Sequence, residues 1–171
     1  MSSSNAVTSA VLILGQADLE DGDSDAAAAL AEAHASSGCG DAGLNARTGF
    51  LLAASEHPGL AEPFLLAALL ARPTELDLLT AYLDAAAESW DPIRVSTAVD
   101  AHTAALHAGG TEYGAERYLA TLQTLRRHRL HGAAIALLGP RVEADPSDFS
   151  LAAPYAELAL ALGQGEVADR T

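Results

Sequence analysis

The chain has no lysine. All nine basic residues are arginine, against 23 acidic residues, and the formal net charge is −14. A field of that sign disfavours broad binding to nucleic acid or to an anionic membrane surface. The single cysteine, Cys39, cannot form an intrachain disulfide and offers no paired metal ligands, so a cytoplasmic protein is expected. Aromatic and β-branched residues are sparse, which argues against strands. The apolar run near the start, VLILG, is much shorter than a membrane span and follows no charged segment, so neither signal peptide nor anchor is expected. Also missing are G-x-S-x-G, a phosphate-binding loop, a Rossmann glycine pattern and H-E-x-x-H. The expectation is therefore a protein with no enzymatic activity, cofactor or metal.

What the chain does have is alanine in quantity, with abundant leucine and a hydrophobic fraction of 50%, enough to bury a continuous helical core. The most informative stretch is AEPFLLAALLARP, Ala61 to Pro73. Gly49 lies twelve residues before Ala61, and the same interval separates Gly15 from Ala27, Leu122 from Ala134 and Ala156 from Ala168. The steps from Gly49 to Leu83 and from Leu122 to Ala156 are both 34, whereas the step from Leu83 to Leu122 is 39. The spacing thus predicts a repeat with one five-residue expansion, divided between the loops of the third unit. Breakers punctuate it: Gly22, His57-Pro58-Gly59, Trp90-Asp91-Pro92, Gly109-Gly110 and Gly163-Gln164-Gly165.

In this layout the chain resembles the tetratricopeptide repeat (TPR) family, W-x2-L-G-x2-Y…A-x3-F…P with a period of about 34 residues, over 8–171. The resemblance implies an all-α fold of about nine helices, a right-handed α-solenoid of antiparallel helix hairpins. A flexible tail over 1–7 would precede one domain with repeats at about 8–41, 42–75, 76–114 and 115–148 and a capping helix at 149–162. Repeats one and three depart from the pattern, with Asp18 for an aromatic or leucine, Cys39 for proline, and Leu83 for a small residue. The physical logic is that each hairpin carries an apolar stripe it cannot bury alone, so neighbours stack. The small residues Gly15, Gly49, Ala27, Ala61, Ala134 and Ala156 are expected at close helix contacts.

The resemblance further implies a concave groove, lined by the first helix of each pair, for a protein or peptide ligand. Groove candidates are Arg47, Phe50, Thr80, Asp84, Gln123, Arg126 and Arg127, with Glu88 also on a first helix. Charge singles out the fourth unit: 115–141 carries five arginines and one acid, while 1–41 carries seven acids and no arginine. The basic cluster Arg126-Arg127-His128-Arg129-Leu130-His131 would attract carboxylates on a ligand or on the acidic first repeat of another copy. Its simpler reading is a helix C-terminus stabilised by basic side chains, about 0.3–1 kcal/mol each. Clamps for chaperone tails use lysine and asparagine in the first helices, and with no lysine and Asn45 as the only asparagine on a first helix that role is not expected.

Two metal readings fail on the residues. Asp21, Asp23, Asp25 and Glu32 match acidic positions of an EF-hand loop, but Ala26 stands where the sharp turn needs glycine, and AAAALAEA favours helix. The six histidines, His34, His57, His102, His107, His128 and His131, show no zinc spacing and are expected at the surface or in turns. The functional expectation is a non-catalytic binding scaffold or adaptor. The alternatives are a self-associating assembly module, or an accessory subunit of a biosynthetic enzyme or transcription factor.

Overall fold

The computed structural model describes residues 24–36, 40–87 and 89–163, and all regular structure there is helical. Eight α-helices follow in order: α1 Ser24–Ser36, α2 Ala42–Ala54, α3 Pro58–Ala71, α4 Leu76–Ala86, α5 Pro92–Ala108, α6 Ala115–Arg127, α7 His131–Ala144 and α8 Phe149–Ala161. A 3-10 turn, Gly110–Glu112, joins α5 to α6. The tail over 1–7, the expected first helix with its Leu14-Gly15 pair, Cys39 and Glu88 lie outside the described residues, as does Gln164.

The helix starts carry the repeat. α2, α4, α6 and α8 begin at 42, 76, 115 and 149, steps of 34, 39 and 34; α1, α3, α5 and α7 begin at 24, 58, 92 and 131, steps of 34, 34 and 39. The expansion is not shared among loops, as the spacing suggested. α5 has 17 residues where α3 and α7 have 14, and the link after it, 109–114, is two residues longer than the links at 72–75 and 145–148. All five extra residues therefore follow Pro92. The reason lies in the chain itself: STAVDAHTAALHA holds no breaker until Gly109-Gly110, so helix propagation continues through the added turn.

The turns between paired helices repeat as well. Glu56, Trp90, Arg129 and Gly163 all have positive φ, at +62°, +32°, +59° and +72°, and they follow one another in steps of 34, 39 and 34. Around Glu56 the His57 amide donates to the Leu52 carbonyl and the Glu56 amide to that of Ala53. Around Arg129 the Leu130 amide donates to Leu125 and the Arg129 amide to Arg126. Both patterns are Schellman caps, which satisfy the last carbonyls of a helix while reversing the chain. Carboxylates open α2 and α5: Asp41 Oδ1 accepts from the Leu44 amide at 2.9 Å, and Asp91 Oδ1 from that of Ile93 at 2.9 Å. Pro58 and Pro92 occupy first helical positions, where the missing N–H costs nothing.

The chain divides into two compact units, residues 1–98 and 99–171, with the boundary inside α5 and not at an expected repeat edge. In the first, α2 packs on α3 and α3 on α4, with lighter α1–α2, α1–α3 and α2–α4 contacts. In the second, α7 packs on α8 and α6 on α7, with a lighter α6–α8 contact. The first core is built on Leu52, Leu65, Leu69, Leu78, Leu79, Tyr82 and Leu83, the second on Leu106, Tyr118, Leu125, Leu137 and Leu138, all fully buried.

Close approach holds at Gly49, where an added Cβ would lie 2.6 Å from Leu65 Cγ and 3.2 Å from the Leu65 backbone nitrogen. Ala61 and Ala134 are fully buried, as expected, but Ala156 is only partly buried. Leu83 and Leu122, at the position equivalent to Gly49, are buried large residues. Smallness there is a property of the α2–α3 contact, not of the repeat. Gly15 and the side chain of Ala27 lie outside the described residues.

Candidate functional site

The groove candidates fall on three helices. Arg47 and Phe50 are one turn apart on α2, and both are exposed; Thr80 is half-buried and Asp84 exposed on α4. These four belong to the first unit. Gln123 and Arg127 are exposed on α6 and Arg126 is half-buried, all in the second. The repeat step makes Phe50, Asp84 and Gln123 equivalent positions, and its next member is Glu157 on α8, 72% exposed. Sequence reasoning passed over Glu157, although the signal was present: the step of 34 that leads from Leu122 to Ala156 leads equally from Gln123 to Glu157.

Glu157 is also the partner of a candidate. Arg126 Nη2 approaches Glu157 Oε2 at 3.4 Å, linking α6 to α8. The block 126–131 is therefore not one uniform basic patch. Arg126 and Arg127 end α6, His128 caps it, Arg129 occupies the left-handed turn position, and His131 opens α7. A second arginine of this unit is also engaged: the Arg141 guanidinium lies 5.5 Å from the centroid of Tyr118. Tyr118 Oη donates to the Leu106 carbonyl at 3.2 Å, and burial pushes this phenol above its usual range despite the nearby Arg141 charge. His107 packs parallel to the Tyr118 ring and donates from Nε2 to the Leu137 carbonyl at 2.9 Å.

The expectation of surface histidines is corrected for His34, 3% exposed, and His102, fully buried. His34 Nε2 donates to Asn45 Oδ1 at 2.8 Å, and its Nδ1 accepts from the Thr48 hydroxyl at 2.9 Å. That pattern selects the tautomer with the proton on Nε2. Phe64 meets the imidazole ring in an edge-on contact, with centroids 4.9 Å apart. Thr121 Oγ1 donates to the Arg117 carbonyl at 3.0 Å, so it accepts from His102 Nε2 at 3.1 Å. Histidine goes inside at these positions because a threonine one helix on supplies what a buried ring nitrogen needs.

The first unit also holds a buried carboxylate. Glu62, 5% exposed on α3, accepts from Ser89 Oγ at 2.8 Å and from Arg94 Nη1 at 3.3 Å. Arg94 Nε also pairs with Asp91 at 3.5 Å, so the start of α5 is tied to α3 through the turn containing Trp90. Tyr82 lies near this group with its hydroxyl buried and no protein hydrogen-bond partner. Burial, with Glu62 adding to it, pushes the phenol up to about 12.

Chemically, the His34, His102 and Glu62 groups turn their donors and acceptors on one another, the Tyr82 hydroxyl being the exception. Among the described residues no group of three or more His, Cys, Asp or Glu is placed to hold a metal ion, and no helix is long and apolar enough to cross a membrane. Asp25 and Glu32 lie within α1, a helix and not an open ligand loop. Compared with known proteins, the chain matches no family model, no curated protein and no solved structure.

Proposed function

We propose that this chain is a TPR-like module, a right-handed α-solenoid of antiparallel hairpins, that binds a protein or peptide and carries out no catalysis. The observation that carries the reading is that the starts of α2, α4, α6 and α8 and the left-handed turn positions share the steps 34, 39 and 34. Phe50 and Asp84 in the first unit, and Gln123 and Glu157 in the second, stand at equivalent exposed positions of the repeat, with Arg47 and Thr80 on the helices of the former and Arg126 and Arg127 on the helix of Gln123. The four equivalent residues are mixed in chemistry, with an aromatic ring, a carboxylate, an amide and a second carboxylate. Such residues suit a ligand of mixed character, not a polyanion. The Arg126–Glu157 pair is exposed, and exposed pairs are worth about 0–1 kcal/mol, so a ligand carboxylate can replace Glu157 on Arg126. A cytoplasmic location fits the single cysteine.

The test is quantitative co-purification with crosslinking from the source cell, comparing wild type with Phe50→Ala, Arg127→Glu and, as a control, Asp100→Asn on α5. A partner retained by wild type and the control but lost with Phe50→Ala and Arg127→Glu supports the reading. Identical recovery by all four overturns it.

A second reading, self-association, is favoured by the charge imbalance between 1–41, with seven acids and no arginine, and 115–141, with five arginines and one acid. Head-to-tail docking of those regions would weaken with salt. Light scattering at low and high ionic strength decides it, and a monomer at low salt removes this alternative. Regulation of an enzyme or transcription factor as an accessory subunit would show in the identity of the co-purified partner.

A further inference from the structure

We propose that the buried His–Thr pairs are keys that set which helix stacks on which, so that successive hairpins of this chain are not interchangeable. The inference rests on the stacked-hairpin reading, but the hydrogen bonds that motivate it do not.

The two pairs occupy the same place. His34 and His102 are separated by two steps of 34, and Thr48 and Thr121 by one step of 34 and one of 39, the latter holding the expansion. Each pair joins the second helix of one hairpin to the first helix of the next: α1 to α2, and α5 to α6. At the equivalent position between them stand Ala68 on α3 and Tyr82 on α4, both fully buried; one step after the second pair stand Arg141 on α7 and Tyr155 on α8. Along the first helices the column reads Thr48, Tyr82, Thr121, Tyr155. Threonine and tyrosine alternate at this first-helix position, and histidine accompanies each threonine.

The alternation conserves space. A histidine with a threonine and an alanine with a tyrosine have similar combined volumes, and Asn45, which also bonds His34, is matched one step on by the buried Leu79. It does not conserve chemistry. If α1 stacked one hairpin out of place, His34 would face the Leu79–Tyr82 surface. Its two ring nitrogens would then lose the Asn45 oxygen and the Thr48 hydroxyl, and burying them unpaired is costly. Repeat chains need such discrimination because every hairpin shows a similar apolar stripe, and misassembly and swapping are their characteristic failures. A buried polar group that selects one pairing among several apolar ones is a known use of such groups.

The experiment exchanges whole interfaces in the full chain. His34→Ala, Asn45→Leu and Thr48→Tyr together turn the α1–α2 interface into a copy of α3–α4; Ala68→His, Leu79→Asn and Tyr82→Thr make the reciprocal change. His34→Ala alone should lower Tm by roughly 5–10 °C. The first triple variant should regain most of that loss, because the replaced set fits the same space. It should also refold from denaturant with an additional slow phase and a concentration-dependent dimer, seen by light scattering and absent from wild type. Two results overturn the proposal. A triple variant no more stable than His34→Ala shows that the interfaces are not equivalent. A triple variant that refolds as a monomer with wild-type kinetics shows that the pair selects nothing. The reciprocal triple is read by the same two criteria and decides the matter if the first does not fold. Partner binding enters none of these readouts.

Discussion

The α1–α2 contact and the α3–α4 contact stand one repeat apart, yet they are sealed by opposite means. In the first, His34, Asn45 and Thr48 bury a polar group and satisfy it at both ring nitrogens. In the second, Ala68, Leu79 and Tyr82 bury apolar surface, and the one polar atom among them, the Tyr82 hydroxyl, has no protein partner. A helical-hairpin contact therefore tolerates either solution, and what differs is the penalty for disturbing it. The polar seal is brittle because Asn45 and Thr48 both bond the His34 ring, while the apolar seal is forgiving because its only polar side-chain atom is already unpartnered.

The largest effect expected from breaking this comparison is at His34. His34→Ala removes a buried ring and leaves the Asn45 amide and Thr48 hydroxyl without their partner, for a loss of about 3 kcal/mol by chemical denaturation. Tyr82→Phe, in the apolar seal, removes an unpartnered hydroxyl and should leave stability at pH 7 unchanged or up to about 1 kcal/mol higher. A loss of about 2 kcal/mol for Tyr82→Phe, the size expected when a buried hydrogen bond is broken, would mean that the hydroxyl is bonded and that the contrast is mistaken.

The second prediction sharpens the contrast with pH. The folded Tyr82 phenol is raised from 10.0 to about 12. A phenol that stays protonated in the folded chain while the unfolded chain ionises stabilises the folded state fully below pH 10, and that contribution is lost as pH rises from about 10 to about 12. The loss is of order 2 kcal/mol. Wild type should therefore lose stability across that window by this amount more than Tyr82→Phe. A pH-independent difference between the two proteins would remove the assignment. Third, Gly49→Ala probes the contact lying between the two seals, since its new Cβ meets Leu65 Cγ at 2.6 Å. About 1–2 kcal/mol should be lost through overpacking, measured by thermal or denaturant unfolding. Unchanged stability would show that α2 and α3 can separate freely.

How far all this could be read beforehand depended on which signal each feature leaves. The breakers at His57-Pro58-Gly59 and Trp90-Asp91-Pro92 announce helix boundaries chemically, and α3 and α5 begin at Pro58 and Pro92 within them, while Gly109-Gly110 follows the end of α5 at Ala108. The extent of α5 was legible, since no breaker interrupts the chain between Pro92 and Gly109, but spacing alone did not show that three of the five extra residues lengthen this helix. Buried histidines were missed for a different reason: a His–Thr contact joins positions 14 or 19 apart on separate helices, and neither partner is unusual by itself. The clue was a two-step period, visible only when first helices are aligned and Thr48, Tyr82, Thr121 and Tyr155 fall in one column. Of the groove candidates, Arg47, Phe50, Asp84, Gln123 and Arg127 are exposed, which a role in binding requires and does not by itself establish. Glu157, which answers Arg126, lay outside the stretch where charge had drawn attention.

Fourth, the turns that close the helix pairs offer a gain instead of a loss. Glu56 and Arg129 hold φ near +60°, which costs a residue with a Cβ about 1–2 kcal/mol, while Gly163 fills the equivalent place without that strain. Allowing for the greater freedom of glycine in the unfolded chain, Glu56→Gly should raise stability by about 0.5–1 kcal/mol, read from the denaturation midpoint. Because Glu56 ends α2, the second helix of the polar seal, the gain should persist in the His34→Ala background if cap and seal act independently.

The smallest effect is expected at Arg126, and its smallness is informative. Arg126 is 38% exposed and Glu157 72%, so their attraction works through solvent and is screened by salt. Arg126→Gln should change stability by no more than about 0.5 kcal/mol, and Glu157→Gln by a similar amount, with a double-mutant cycle coupling that vanishes at high salt. This sets the second unit against the first. Glu62, which meets Arg94 with only 6% of its side chain exposed, cannot lose its partner without leaving a buried charge, so Arg94→Gln should cost several times more. An arginine whose internal partner is so lightly held is available to a ligand carboxylate, whereas one tied to a buried glutamate is committed to the fold. If Arg126→Gln proves as costly as Arg94→Gln, Arg126 belongs to the structural set and drops out of the proposed binding residues, leaving Arg47 and Phe50 as the candidates to test.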